Sequence, residues 1–106
     1  MSYWVSLWID TGGETSAEVW SRNITSNLSR MWNEAGVPLH EWDGLEAGTC
    51  WPNLDTALTF MQSKPEAFKE LNPPNGWGDY DGCVDFLLEL RNVCKQHPRC
   101  TLRVSH

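Results

Sequence analysis

The sequence predicts a single α+β domain, in which a small, mostly antiparallel sheet is covered on one face by three helices. Two stretches, 3–10 and 17–24, alternate apolar and polar residues with a period of two, which is typical of half-buried strands. Between 25 and 97 the apolar residues recur at spacings of three and four, which is typical of helices packed on a core. The stretch 100–105 alternates again, so we expect it to join the first two strands in one sheet. The 106 residues have the length of one domain, 1–106.

The first strand runs to Asp10, where Gly12 and Gly13 favour a turn. Its aliphatic face points to the predicted core, and its other face carries indole rings. We expect a ring from the second strand to join them, so that the outer surface of the sheet carries Trp4, Trp8 and Trp20. A surface lined with Trp invites association. We therefore predict that it is covered, either by the connector 37–48 or by a second copy of the chain in a homodimer.

The helices are predicted from apolar spacing and from their boundary residues. They are placed at 25–35, 51–63 and 81–97, with a short helical stretch at 65–71 behind the second. Gly36 suits the left-handed end of the first helix, and Pro52 suits the first turn of the second. Asp79 or Asp81 is expected to cap the third. The inner faces of these elements are predicted to bury six leucines together: Leu7, Leu54, Leu58, Leu87, Leu90 and Leu102.

The charge balance argues against two classes of partner. Asp and Glu number 14 against 8 Lys and Arg, for a formal net charge of −6. Without a basic stripe the chain is a poor candidate for holding phosphate backbones, so no nucleic-acid partner is predicted. No apolar run reaches the roughly 20 residues of a membrane helix, and residues 1–10 lack a basic signal-peptide start. We therefore expect a cytoplasmic protein without a membrane partner.

The 4 cysteines are predicted to be buried free thiols. Cys83 and Cys94 belong to the apolar face of the third helix, and Cys100 to the apolar face of the last strand. These positions favour a core role over zinc ligation with His97, because zinc sites normally use paired cysteines on tight turns. The sequence predicts no metal and no cofactor.

The candidate ligand site is drawn from three polar segments at the ends of predicted elements, 10–13, 23–27 and 75–80. In a one-layer sheet such ends can converge, and the free N–H groups of helix starts favour an anionic or strongly polar ligand. The prolines and glycines of the loop 72–80 restrict it and allow aromatic rings to approach a ligand closely. The predicted ligand-binding residues are Asp10, Thr11, Asn23, Thr25, Asn27, Asn75, Trp77, Asp79 and Tyr80. The structural alternative is that Trp77 fills the core and Asp79 only caps a helix.

No catalytic motif is present. The three histidines, His40, His97 and His106, are scattered, and the sequence has no nucleophile elbow, zinc-protease motif or dinucleotide fingerprint. No catalytic residue is therefore predicted. The enzymatic alternative would use Asp10, Asp79 or His40 in a cleft beside a second polar group.

Four segments carry a family resemblance: 9–13 (IDTGG), 23–32 with its NITSN and MW, 72–80 (NPPNGWGDY), and the His97-Pro98 pair. The third is the most specific. Together they resemble a family of small, largely uncharacterised proteins from actinobacteria and their bacteriophages, over most of the chain. The resemblance implies a context, that of an accessory factor which binds a host protein or sequesters a small molecule.

Two functional hypotheses follow. The first is a non-enzymatic, phage-type accessory protein that binds a small polar or nucleotide-like ligand, with Trp77 and Tyr80 as stacking surfaces. The alternative is an acidic interaction module that inhibits a host factor, in which negative charge steers the partner and exposed Trp anchors it.

Overall fold

The computed structural model, which describes residues 2–10 and 16–106, has the predicted α+β architecture. Its elements in chain order are β1 (Ser2–Asp10), β2 (Ser16–Thr25), α1 (Ser29–Glu34), α2 (Ala47–Ser63), α3 (Pro65–Lys69), α4 (Tyr80–Gln96) and β3 (Thr101–Ser105), with 3-10 turns at Ser26–Leu28 and Leu39–Glu41. The strands form one antiparallel sheet in the order β2-β1-β3. The terminal strands are therefore neighbours, as predicted.

The inner face of the sheet and the helices enclose one core. Val5 and Leu7 of β1 lie opposite Val104 and Leu102 of β3, and all four side chains are buried. The helices contribute the rest of the core from the apolar faces that their spacing indicates. The six leucines predicted to be buried together are all in it, which confirms the predicted helix faces.

The most extensive packing between helices is that of α2 against α4. α4 also contacts β2 through side chains. Asp79 caps α4 by accepting a hydrogen bond from the backbone N–H of Gly82 at 2.7 Å, which confirms one of the two predicted caps. Asp85 contacts Arg22 of β2. Glu89, one turn later in α4, accepts a hydrogen bond from the indole N–H of Trp20, which lies two residues before Arg22 in β2. As the residue numbers rise along α4 they fall along β2, so the two elements run antiparallel.

The helix α2 begins at Ala47, four residues before the predicted start, so Pro52 lies inside it. Proline removes one backbone hydrogen bond from a helix. The first turn is held instead by the segment before β3, because Ala47 N–H donates to Cys100 O at 2.8 Å and Gly48 N–H donates to Pro98 O at 2.8 Å. The helix therefore begins at Ala47 and not at 51, because of backbone contacts between distant parts of the chain that the local sequence does not indicate.

The connector 37–48 does not cover the outer face of the sheet. It lies along the free edge of β3, where Gly44 N–H donates to Leu102 O and Leu102 N–H donates to Leu45 O, both at 2.8 Å. Asp43 extends this contact by accepting from Val104 N–H at 2.9 Å. The predicted covering by the connector is therefore wrong, because backbone groups at the strand edge hold it.

Trp20 does not share a face with Trp4 and Trp8. It lies opposite Leu7 in the register and so belongs to the inner face, where its ring is 6.4 Å from that of Phe86. A register shift between Leu7 and Trp8 separates the two parts of the strand pair. The predicted three-Trp surface is wrong for Trp20, and the outer face carries Trp4 and Trp8 alone of the three.

The four cysteines are buried free thiols, as predicted. Burial raises the pKa of Cys83 and Cys94 to about 12. In the described part of the chain, no helix combines the length and the apolar character needed to cross a membrane.

Candidate functional site

The loop 72–80 is organised by its own polar side chains. Asn72 Oδ1 accepts from Tyr80 N–H at 2.8 Å, and Asn75 Oδ1 accepts from Trp77 N–H at 3.0 Å. Each bond lets a side chain replace a backbone partner, which is how Asn stabilises irregular turns. The loop therefore holds a defined conformation although it contains no regular structure.

Gly78 docks this loop against the junction of β2 and the first 3-10 turn. A Cβ atom at Gly78 would lie 2.9 Å from both Thr25 Cγ2 and Leu28 Cγ, and its φ of +104° favours glycine. Gly76 also has a positive φ, +76°, but has nothing within 4 Å of such an atom. The close approach at Gly78 thus places the preceding residue, Trp77, at the end of the sheet.

Trp77 forms one wall of an open depression of about 410 Å³, which we call the Trp77 depression. The other described residues that line it are Ser2, Asn23 and Thr25, from the paired ends of β1 and β2. Trp77 is 69% exposed as a residue, so its side chain lies beside the depression instead of filling the core. The volume falls in the range of about 300–1,000 Å³ that is typical of small-molecule sites.

The polar groups of the depression are oriented by their mutual hydrogen bonds. Asn23 Nδ2 donates to Ser2 Oγ at 2.8 Å and to Tyr3 O at 3.3 Å, which turns Asn23 Oδ1 away from these acceptors. Thr25 Oγ1 accepts from Asn27 N–H at 3.3 Å and from Asn27 Nδ2 at 3.1 Å. A hydroxyl that accepts still carries a proton to donate. The site can therefore offer an amide acceptor and hydroxyl donors to a ligand.

The described lining residues are uncharged, and the helix starts beside them are already capped. Thr25 caps the first 3-10 turn and Asp79 caps α4, so each oxygen occupies an N–H group that an anion would need. The chain's net charge of −6 also opposes anion binding. Of the two predicted ligand classes, anionic or strongly polar, the lining residues and the occupied N–H groups suit an uncharged polar group better.

Three of the nine predicted site residues line the depression, namely Asn23, Thr25 and Trp77. Asn27 and Asn75 do not line the depression but hydrogen-bond to two residues that do, Thr25 and Trp77. Tyr80 is buried beneath the loop and donates its hydroxyl to Met61 O at 2.9 Å, and burial, followed by the charge of Asp81, raises its pKa. The predicted common opening is therefore wrong for Tyr80, and neither Asn75 nor Asp79 is among the described residues that line the depression.

The first predicted segment does not reach the depression. Asp10 pairs with Ser16, whereas Ser2 pairs with Thr25, so Asp10 lies at the other end of β1. Eight residues of extended strand separate the two ends by roughly 26 Å. The predicted convergence is wrong for Asp10, and Thr11 lies outside the described residues.

Ser2 and Gly78 were not among the predicted site residues. Ser2 could have been found from strand pairing, since it faces Thr25 in the register that the alternating patterns favour. Gly78 carries a weaker signal, because a glycine before a capping Asp also fits a simple turn.

The three residues of the enzymatic alternative, Asp10, Asp79 and His40, do not lie together. His40 is exposed in the 3-10 turn at Leu39–Glu41, Asp79 caps α4, and Asp10 lies at the far end of β1. These positions belong to three separate regions of the molecule.

No protein-family model matches this chain, and neither a curated protein nor a solved structure matches it. The resemblance to actinobacterial and phage proteins stays a prediction.

Proposed function

We propose that the chain is a non-enzymatic binding protein that holds a small, uncharged, planar polar ligand of the nucleoside type in the Trp77 depression. The observation that carries this proposal is the position of Trp77. A loop held by the close packing of Gly78 and by the capped start of α4 presents Trp77, which is 69% exposed, beside oriented amide and hydroxyl groups.

The ligand class follows from the chemistry of the walls. An indole face stacks on planar π systems, and such stacking contributes about 1–3 kcal/mol per base. Asn23 and the two hydroxyl groups complement a ring edge that carries both donors and acceptors. A nucleoside without phosphate combines a planar face, such an edge and no charge.

Isothermal titration calorimetry against nucleosides and their monophosphates tests the proposal. We expect at least one nucleoside to bind and the matching monophosphate to bind more weakly, because the domain is acidic. Trp77→Ala should weaken binding by about 1–3 kcal/mol, the scale of one aromatic stacking contact. Preference for the monophosphate would contradict the assigned ligand class.

Phe60→Ala is the matched control. Phe60 is 40% exposed on α2 and lines a different groove, so its removal deletes an exposed aromatic ring without touching the Trp77 depression. It should leave nucleoside affinity unchanged. Titrations without heat for every nucleoside, or equal affinity for the Trp77→Ala protein, would refute the site.

A second candidate is an interaction module that uses the outer face of the sheet, here defined as Trp4, Ser6, Trp8, Ser21, Asn23, Thr101, Arg103 and Ser105. Trp4 is 56% exposed, and the guanidinium carbon of Arg103 lies 4.2 Å from the centroid of the Trp8 ring. Protein interfaces are enriched in aromatic residues and Arg. The resemblance adds the expectation that the partner is a host factor. A homodimer through Trp4 and Trp8 is the symmetric form of this candidate.

Affinity capture from a bacterial lysate, paired with light scattering of the pure protein, tests this candidate. A specific partner should be retained by the wild-type chain and by Phe60→Ala, and lost with Trp4→Ala. A monomer at high concentration would exclude the homodimer, and equal retention by Trp4→Ala would exclude the outer face.

A further inference from the structure

The two edges of the sheet differ in how their backbone groups are satisfied. Along β3 the connector 37–48 supplies hydrogen bonds at both N–H and C=O groups of Leu102. β2 is the opposite edge strand, and among the described residues its backbone ladder is shared with β1 alone. Its outer row of donors and acceptors therefore faces away from the sheet.

β2 also lacks most of the devices that keep edge strands from pairing. It is 10 residues long and contains neither Lys nor Pro, and its first four residues, 16–19, are exposed. The register shift between Leu7 and Trp8 disturbs its pairing near Val19, which leaves the stretch 20–25 in regular register with β1. A long, unblocked edge of this kind is a template for an added strand.

The helix beneath this edge carries acidic residues along the same side. Asp81, Asp85 and Glu89 recur every four residues on α4 and so share one face of it. Asp85 and Glu89 contact a single cation, Arg22, at 3.3 and 2.7 Å, and the Asp85 side chain is still 71% exposed. Two carboxylates on one guanidinium leave this side of α4 net negative.

The spacing of these acids matches that of a paired strand. Residues four apart on a helix are about 6 Å apart along its axis, and alternate residues of a strand are about 6.6 Å apart. The contacts follow this match, since Asp85 lies by Arg22 and Glu89 by Trp20, two residues earlier in β2. Every second side chain of an added strand would thus come beside one acid of α4.

We propose that β2 accepts an extended basic peptide as a fourth strand, with Lys or Arg at alternate positions beside Asp81, Asp85 and Glu89. The backbone ladder supplies affinity and the alternating cations supply specificity, as in strand addition to other open sheets. The −6 charge of the chain favours such a partner over a second copy, which would bring an equal negative charge to the edge. This site uses the backbone groups of 20–25 at the β2 edge, whereas the Trp77 depression is lined by Ser2, Asn23, Thr25 and Trp77.

The probe is an acetylated and amidated heptapeptide in which Lys alternates with Thr and Val. Amide spectra of the isotope-labelled protein should show its binding through shifts that concentrate in 20–25 of β2. Two further probes carry N-methyl groups on one or the other set of alternate amides. One of these should lose binding, because it cannot form the ladder, although its charges are unchanged. Equal binding of all three peptides, or shifts that avoid β2, would overturn the proposal.

The charge component is tested by Asp81→Asn/Asp85→Asn. This pair should lower affinity for the unmethylated peptide by roughly three- to tenfold at low salt, the scale of two surface ion pairs. The matched control is Glu66→Gln/Glu70→Gln on and after α3, which removes the same charge away from β2 and should change affinity less than twofold. Equal losses in both pairs would show non-specific attraction and reject the site.

Two other measurements separate this site from alternatives. Trp77→Ala should leave peptide affinity unchanged, so the proposal stands or falls apart from nucleoside binding. A dimer in sedimentation whose outward-facing β2 amides, those not bonded to β1, resist hydrogen exchange without peptide would assign the edge to a second copy and overturn the proposal.

Discussion

The two faces of the sheet use the same strand in opposite ways. Val5 and Leu7 of β1 have no exposed surface, whereas Trp4, the residue before Val5, is 56% exposed. Val5 and Leu7 belong to the core cluster that the helices share, whereas Trp4 on the outer face does not. Large apolar side chains therefore mark the core on one face and a surface on the other, so size and hydrophobicity alone do not separate the two roles.

The largest expected effect lies in the core beneath the inner face. Leu87→Ala should lower the free energy of unfolding by about 2–5 kcal/mol, because the fully buried Leu87 leaves a cavity among α2, α4 and the sheet. Urea unfolding followed by fluorescence measures the loss. The adjacent, half-buried Leu88 offers a comparison, and Leu88→Ala should cost less. A loss at Leu87 no greater than that at Leu88 would contradict the assigned helix face.

The contrast between the faces also explains which parts of the fold could be predicted. The periodicity of apolar residues located all three strands and the long helices, because each of these elements buries one face and the spacing of its apolar residues reflects that burial. It did not place Trp20, because the register shift after Leu7 and the bond from Trp20 to Glu89 on α4 depend on tertiary structure. It did not place the start of α2 either, since backbone groups before β3 hold Ala47.

The candidate site divides in the same way. Trp77 and Asn23 were predicted from their position at element ends, and the structure places them around one depression. Asp10 met the same criterion yet lies at the far end of β1, because end position does not say which end of the sheet a loop joins. Topology decides this, and strand order is not contained in local patterns.

The second prediction concerns the loop that links the core to the outer face. Gly78→Ala should cost about 2–4 kcal/mol, because the added Cβ meets Thr25 and Leu28 at 2.9 Å in a left-handed backbone conformation. Gly76→Ala carries the same kind of backbone strain without a neighbour within 4 Å and should cost about 1–2 kcal/mol. Thermal and urea unfolding of both proteins separate strain from docking. Equal losses would mean that the loop does not rest on Thr25 and Leu28.

The third prediction concerns the buried thiols. Burial raises the pKa of Cys83 and Cys94 from 9.0 to about 12, so the folded state holds these protons more tightly than the unfolded chain. Their contribution is complete below pH 9 and is lost as the pH rises from 9 towards 12, by at most about 1.4 kcal/mol per pH unit for each thiol. Urea unfolding under reducing conditions should therefore show a stability about 1–3 kcal/mol lower at pH 10 than at pH 8.

Cys83→Ala isolates this effect from other groups that titrate at high pH. The substitution lowers stability at every pH because it leaves a cavity, but it also removes one of the two thiols. The slope of stability against pH above 9 should therefore become shallower than in the wild-type chain. Parallel slopes for the two proteins would show that Cys83 is not protected from ionisation by the fold.

The smallest expected effect compares neighbouring residues on the two faces. Trp4→Thr should change the free energy of unfolding by no more than about 0.5 kcal/mol, since Trp4 is 56% exposed and Thr keeps a good strand propensity. Val5→Thr, one residue later, should cost about 1–3 kcal/mol, because it buries a hydroxyl where no surface is exposed. Urea unfolding of both proteins gives the difference directly. A large loss for Trp4→Thr would mean that its ring stabilises the monomer, and would remove the reason to treat the outer face as a binding surface.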